Sequence, residues 1–373
     1  MPKSPTARLI VASSESDADM LYATRFFVPD AFVFLQHRGR RTILLSDLEV
    51  DRGRTEAKVD EVLSLSQERE KLRLPEQTGF GELTAAFLRS RKIGRVEVPA
   101  AFPLGLAREI EKAGIEVVPA NGLFWKEREC KTDEELKHLR RALAVTETGM
   151  ARGMEVLKAA EITKRGPLKW GGKPLTSERL RAEIDTAILR AGGLPANTIV
   201  AGGLQACDPH ERGHGPLRAD ELIILDLFPR DTRSGYFGDM TRTVVRGRAS
   251  DAQRHLWETV RVGQKQALEA MKPGESGKEI HEEIKDFFTK KGFPTELHEG
   301  RWRGFFHGIG HGLGLEIHES PRFGQTNFRE GQVLTVEPGI YWPGVGGARI
   351  EDVVAVTKTG IKMLSRFPKE LEI

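Results

Sequence analysis

Cysteine is nearly absent from this chain: Cys130 and Cys207 are the only two in 373 residues, far apart and without CxxC spacing. That excludes a disulfide framework and a thiolate-bound zinc, and it points to a reducing compartment. Long apolar runs are missing too. Near the amino terminus, Leu9-Ile10-Val11-Ala12 is too short for the core of a secretory signal, and no stretch reaches membrane length. A cytoplasmic protein with no membrane partner is expected. An excess of one charge is the third absence. The formal net charge is +3, and acids are interleaved with bases, as in Glu134-Glu135-Leu136-Lys137-His138-Leu139-Arg140-Arg141, which reads as a solvated helix face. The short basic run His37-Arg38-Gly39-Arg40-Arg41 lies between two apolar stretches like a hairpin turn, so no nucleic-acid partner is expected. No Walker-type phosphate loop occurs, and no GxGxxG follows a strand-like run.

What is present suits a folded enzyme. Apolar residues make up 39% of the chain and charged residues 30%, and the length favours two domains. Over roughly the first 125 residues, strand-like runs (8–12, 31–35, 42–45, 96–99 and 115–119) alternate with helical stretches around 55–72, 81–91 and 104–113. This predicts a small α/β domain. Thr132, three residues ahead of Glu135, then gives a capping-box signature for a helix that runs on through Leu136, Leu139 and Leu143. Further helices are predicted from Ser177, as its own cap, to Arg190, from Asp251 to Met271, and from Lys278 to Lys291. Strands are predicted over 222–226, 241–246, 332–337 and 348–356, giving helices on an antiparallel sheet and an α+β class overall.

Two of these β segments share a plan: an apolar strand ending in an acid, a connection, and a second strand opening with an acid. The first runs from Ile223-Ile224-Leu225-Asp226 to Asp239-Met240-Thr241, the second from Leu334-Thr335-Val336-Glu337 to Glu351-Asp352-Val353. A repeated unit of this kind can fold into two halves facing one cleft. An unpaired carboxylate after three large apolar residues loses several kcal/mol by desolvation. Taken singly, each acid is better explained as a satisfied strand end. Four converging on one cleft would repel strongly, and divalent cations relieve that repulsion. Histidines are at hand in His307-Gly308-Ile309-Gly310-His311-Gly312-Leu313-Gly314-Leu315-Glu316-Ile317-His318-Glu319, where frequent glycines permit a crowded centre. Strand-like alternation puts His307 and His311 on one face, and a bend is needed to bring His318 in. Imidazole beside carboxylate shifts the metal preference toward Mn, Co, Fe or Zn. His210-Glu211-Arg212-Gly213-His214 matches HExxH, a zinc motif that works only on a helix. With Pro209, Gly213 and Pro216 around it, no helix runs there, although His210 could still stand near the cleft.

These blocks resemble a known superfamily: creatinase, prolidase, aminopeptidase P and methionine aminopeptidase (peptidase family M24). Gly238-Asp239-Met240-Thr241-Arg242-Thr243 is similar to its D-x-T-R-T strand. His307 to Glu319 with Ser320-Pro321, Val336-Glu337-Pro338-Gly339-Ile340-Tyr341, and Arg349-Ile350-Glu351-Asp352 are similar to its later blocks. The resemblance implies a pita-bread catalytic domain over 129–373 behind a smaller α/β domain over 1–128. It implies two divalent ions, Mn or Co first, with Zn or Fe as alternatives. Asp226 would chelate one ion, His311 and Glu337 the other, and Asp239 and Glu351 both, with a hydroxide between them attacking the scissile bond. Glu337 would move the proton, and His318 and His307 would hydrogen-bond the oxyanion or the leaving nitrogen. His210, Arg349 and Tyr341 would meet the substrate, and Thr241 would support the ligands. His307 and the extra domain favour short Xaa-Pro peptides and a homodimer. A methionine or broader aminopeptidase, and a non-catalytic protein-binding module, remain as alternatives. One departure stands out. Asp226 and Asp239 are thirteen residues apart, a longer turn than the family's, which puts the pocket near Phe228 and Tyr236 in question.

Overall fold

The structure, a computed structural model, describes residues 7–164, 166–325 and 327–373. The chain forms two compact units, the first ending at Lys126 and the second spanning Glu127–Ile373. Arg128 thus falls in the second unit, and its guanidinium explains why: it pairs there with Glu316 at 2.6 Å and Glu319 at 2.7 Å.

The first unit holds a six-stranded mixed sheet. From edge to edge its strands are Glu61–Ser64, Arg40–Leu45, Phe32–His37, Ala7–Ala12, Arg95–Val98 and Glu116–Pro119. Helices Phe80–Ser90 and Leu104–Lys112 stand where the periodicity predicts them, and Arg38-Gly39 form the expected hairpin turn. The single helix predicted over 55–72 is wrong. The structure has helix Val50–Glu56, strand Glu61–Ser64 and helix Leu65–Lys71. Val62 and Leu63 pair in parallel with Ile43 and Leu44, and this non-local ladder overrides local helical periodicity. Ser64 then caps the following helix by accepting the Gln67 N–H.

The second unit contains two similar halves. In the first, helices Asp133–Ala159 and Ser177–Arg190 back a sheet of Ile199–Gly202, Leu222–Leu227 and Met240–Val245, with Leu180, Ile184 and Ile188 packed in one core with Leu225 and Leu227. The capping box forms as predicted, the Thr132 hydroxyl accepting from Glu135 N and the Glu135 carboxylate from Thr132 N. The next cap is Thr176, whose hydroxyl accepts the Arg179 N–H; Ser177, predicted for that role, is the first helical residue and its Oγ is buried without a hydrogen bond. In the second half, helices Asp251–Ala270 and Gly277–Lys290 back a five-stranded sheet ordered Glu319–Arg322, His311–Gly312, Val333–Val336, Asp352–Val356, Ile361–Met363. Val260, Ile284, Phe288, Leu334 and Val354 share its core. The predicted strand 348–356 is two strands. Gly346–Arg349 pairs with Gly339–Trp342, Asp352–Val356 pairs with Val333–Val336, and the chain changes sheets at Ile350-Glu351. That break is where Glu351 reaches the first half: its N–H donates to Thr241 O at 3.1 Å. Among the described residues no helix is long and apolar enough to cross a membrane.

Candidate active site

Each half delivers its acids at the end of its own sheet. Asp226 is held on both sides by the ladder, opposite Ile199 and Thr241, and Asp239 immediately precedes the Met240–Val245 strand. Glu337 follows Val333–Val336, its N–H bound to Ile309 O at 2.7 Å, and Glu351 sits at the sheet switch. His311 enters through the glycine-rich segment, which threads between two strands. A Cβ on Gly310 would lie 2.0 Å from Thr335 O, and one on Gly312 would lie 2.5 Å from Ser320 O, so only glycine permits this approach. The predicted strand through the histidines shrinks to His311-Gly312. The bend beyond it brings the His318 ring to 4.3 Å from that of His311, centroid to centroid.

The acids converge in one cavity of about 950 Å³, lined by Asp226, Asp239, His311, Glu337 and Glu351, with His210, His307, His318 and Arg349. One ligand atom each from Asp239, His311 and Glu351 lies within 4.8 Å of the others. His311 Nδ1 donates to Gly312 O at 3.1 Å, which leaves Nε2 facing Glu337 Oε1 at 3.2 Å and Asp239 Oδ2 at 3.7 Å. Burial, and then the charge of Asp226, pushes the Asp239 carboxyl well above its ordinary pKa. Burial and the charges of Asp239, Glu337 and Asp226 do the same to Glu351. Glu337 goes the other way. Burial would raise it, but the hydrogen bond and charge of His311, with His307 and Arg349, bring it down to about 2. Four carboxylates, one imidazole and a single paired guanidinium leave an excess of buried negative charge, and hard-oxygen donors with one nitrogen suit divalent cations.

The sequence comparisons agree with that chemistry. The profile of metallopeptidase family M24 matches residues 137–358. The chain belongs to metallopeptidase family M24. It is 31% identical over 280 residues to a Xaa-Pro dipeptidase of Pyrococcus horikoshii, covering 74% of each chain. The prolidase structure from Pyrococcus furiosus superposes with a TM-score of 0.79 at 25% identity, over 97% of both chains. An X-Pro aminopeptidase from Thermotoga maritima shares the fold at a TM-score of 0.82 and 23% identity, over 99% and 97%. The α+β architecture of the second unit is therefore the pita-bread fold of these metallopeptidases.

Within this metallopeptidase several residues have settings the sequence did not disclose. Arg349 is buried, its Nη2 donating to Asp226 Oδ2 at 2.6 Å, its Nη1 to Tyr341 Oη at 2.7 Å and its Nε to Thr241 Oγ1 at 3.3 Å. It secures an acid of the cavity. Tyr341, expected at the substrate, is instead fully buried behind Arg349 and outside the cavity lining, because its hydroxyl bridges Arg349 and His307. His307 Nδ1 donates to Gly308 O at 2.8 Å and Nε2 accepts from Tyr341 at 2.9 Å, while burial lowers its pKa to about 4. Both ring nitrogens are occupied, so His307 is a cavity wall in this arrangement. His318 makes no hydrogen bond among the described residues, and desolvation with the nearby His311 lowers its pKa to about 4, leaving a neutral imidazole toward the cavity. Thr241 lies behind the acids, donating to Glu351 Oε2 at 2.9 Å. His210 lines the cavity and His214 does not, so the HExxH pair is not brought together; Gly213 at φ +79° breaks any helix between them. Phe228, on the longer turn, lines the cavity. Tyr236 does not, its hydroxyl donating to Glu135 at 2.7 Å. Residues not foreseen are Arg322 with Ile199, Phe306 and Phe323. Arg322 directly follows Ser320-Pro321 in the histidine block, which was its only signal.

Proposed function

We propose that this metallopeptidase is a metal-dependent exopeptidase that removes the amino-terminal residue from short Xaa-Pro peptides. The observation that carries the reading is the convergence of Asp226, Asp239, His311, Glu337 and Glu351 in one cavity, all but the half-buried Glu337 buried, with acid in excess over fixed cation. These five would hold two divalent ions, Mn or Co first. Ions held there would polarise the scissile carbonyl and lower the pKa of the attacking water. Glu337, ionised at neutral pH, takes the water proton and passes it to the leaving imino nitrogen. His318 donates to the developing oxyanion through its free ring N–H. Ile199, Phe306 and Phe323 supply apolar walls for the proline ring. Arg322 lines the same cavity without an ion pair among the described residues, which suits the free carboxylate of a dipeptide. Two free cysteines support a cytoplasmic setting, and the family resemblance supports a homodimer.

The deciding assay sets Ala-Pro, Ala-Pro-Ala and Met-Ala-Ser side by side, with Mn or Co and with a chelator. Alanine release from the proline peptides, lost on chelation, is expected. Cleavage of Met-Ala-Ser in preference to both proline peptides would overturn the substrate assignment.

A further inference from the structure

A second cavity, of about 660 Å³, adjoins the catalytic one. The two share Phe306, His307, Gly308 and Gly324 in their walls. Two of those four positions carry no side chain. A Cβ on Gly324 would meet nothing within 4 Å, and one on Gly308 nothing closer than 3.9 Å, so the shared rim is open at both. Beyond the rim the wall becomes aromatic, with Phe305 and Trp302, and ends at His281 and Lys285 on the Gly277–Lys290 helix. Trp302 is 56% exposed. It sits on a hairpin of Glu296–His298 and Arg301–Arg303, directly opposite Leu297, which is 61% exposed, so one face of the hairpin is apolar. The hairpin is pinned: Arg301 pairs with Asp208 at 2.7 Å, and the Arg303 guanidinium lies 4.3 Å from the Trp342 ring centroid. An exposed tryptophan on a fixed hairpin is a ready contact surface, since ordering it on binding costs little conformational entropy. Lys285 makes no ion pair among the described residues.

Taking the Xaa-Pro peptidase reading as its basis, we propose that this second cavity is a subsite for the part of a longer peptide that follows the proline. An exopeptidase that encloses the amino-terminal residue must send the rest of the chain outward, and the glycine rim opens onto Trp302 and Phe305. Apolar side chains after the proline pack on the exposed ring of Trp302, and Lys285 meets the terminal carboxylate. The enzyme then processes oligopeptides as well as dipeptides, with Arg322 taking the carboxylate of the short substrate and Lys285 that of the long one.

The test compares Ala-Pro with the tetrapeptide Ala-Pro-Phe-Ala on Mn-loaded wild type, Trp302→Ala and Lys285→Ala. Trp302→Ala lowers kcat/KM for the tetrapeptide about tenfold, chiefly through KM, and changes Ala-Pro less than about twofold. Lys285→Ala does the same, and amidating the tetrapeptide removes the difference between that variant and wild type. In chelator-treated protein, calorimetry shows tetrapeptide binding weakened about tenfold by Trp302→Ala. If Ala-Pro is cleaved but the tetrapeptide is refused, or if both substrates respond alike to the substitutions, the subsite is wrong and the peptidase reading stands. If wild type cleaves neither peptide with Mn or Co, the peptidase reading fails and the subsite with it.

Discussion

Glu351 and Asp352 are neighbours in sequence and opposites in setting. Glu351 faces the cavity, where its neighbours are Asp226, Asp239 and Glu337, and its carboxyl is pushed well above the ordinary value by burial and their charges. Asp352 faces the other way, toward Arg242 at 2.9 Å and Lys369 at 2.6 Å. Burial would raise its pKa too, but the charges of Arg242 and Lys369 outweigh that and hold it low. Both side chains are almost wholly buried, at 2% and 2% exposure, so burial does not distinguish them. Charge balance does. Behind the strand, acid and base are matched within the protein; in front, acid is in excess, and cations must come from outside.

The largest effect expected from breaking the front cluster is on catalysis. Glu337→Gln keeps the shape and removes the proton acceptor, so kcat for Ala-Pro should fall at least about 10³-fold at saturating Mn. Turnover within tenfold of wild type would remove Glu337 from the mechanism. Behind the strand the corresponding change acts on folding. Asp352→Asn leaves the buried Arg242, with the part-exposed Lys369 beside it, facing a neutral amide and should cost about 3–5 kcal/mol in denaturant unfolding. Because the Asp352 pKa is lowered in the folded state, its contribution is present above the ordinary carboxylate pKa and lost as pH falls through the folded value. The gap between wild type and Asp352→Asn should therefore stay level from about pH 8 to pH 5 and close below about pH 4. A stability loss under about 1 kcal/mol at pH 7 would show that the rear cluster is not the structural one.

That rear cluster also shows what sequence could and could not reveal. Arg242 donates to the backbone carbonyls of Thr241, Glu351, Phe367 and Pro368 as well as to Asp352. In sequence it was only one letter of a motif, because all its partners except the adjacent Thr241 lie more than a hundred residues away. Local signals were legible: the Thr132–Glu135 capping box joins residues three apart and formed as read. The acids were legible because a repeated strand-acid plan sets them at matching strand ends. What failed needed tertiary contact. Val62 and Leu63 became a strand only because Ile43 and Leu44 were unpaired on that side, and Tyr341 left the cavity because its hydroxyl was claimed by Arg349. The misplaced cap at Ser177 was an error of one position, since Thr176 and Ser177 are equally good candidates by type and only backbone geometry chose between them.

The smallest expected effect is the sharpest test of the comparison, because it reverses sign. In the absence of metal, wild type must keep Asp226, Asp239, Glu337 and Glu351 together with Arg349 and His311 set against them, which leaves acid in excess. Glu351→Gln removes one of those charges and retains an oxygen that can accept from Thr241 Oγ1, as Glu351 Oε2 does at 2.9 Å. In chelator the variant should be more stable than wild type by about 1–2 kcal/mol, the opposite of Asp352→Asn one residue away. Adding Mn should invert the order. Wild type gains about 2.7 kcal/mol at a hundredfold excess of free metal over Kd, and the variant, short of a ligand, gains less. Thermal unfolding of both proteins, with chelator and with Mn, reads all four values. If Glu351→Gln is destabilised in chelator as severely as Asp352→Asn, the front cluster is balanced by internal contacts alone, and charge excess loses its value as the mark of the metal site.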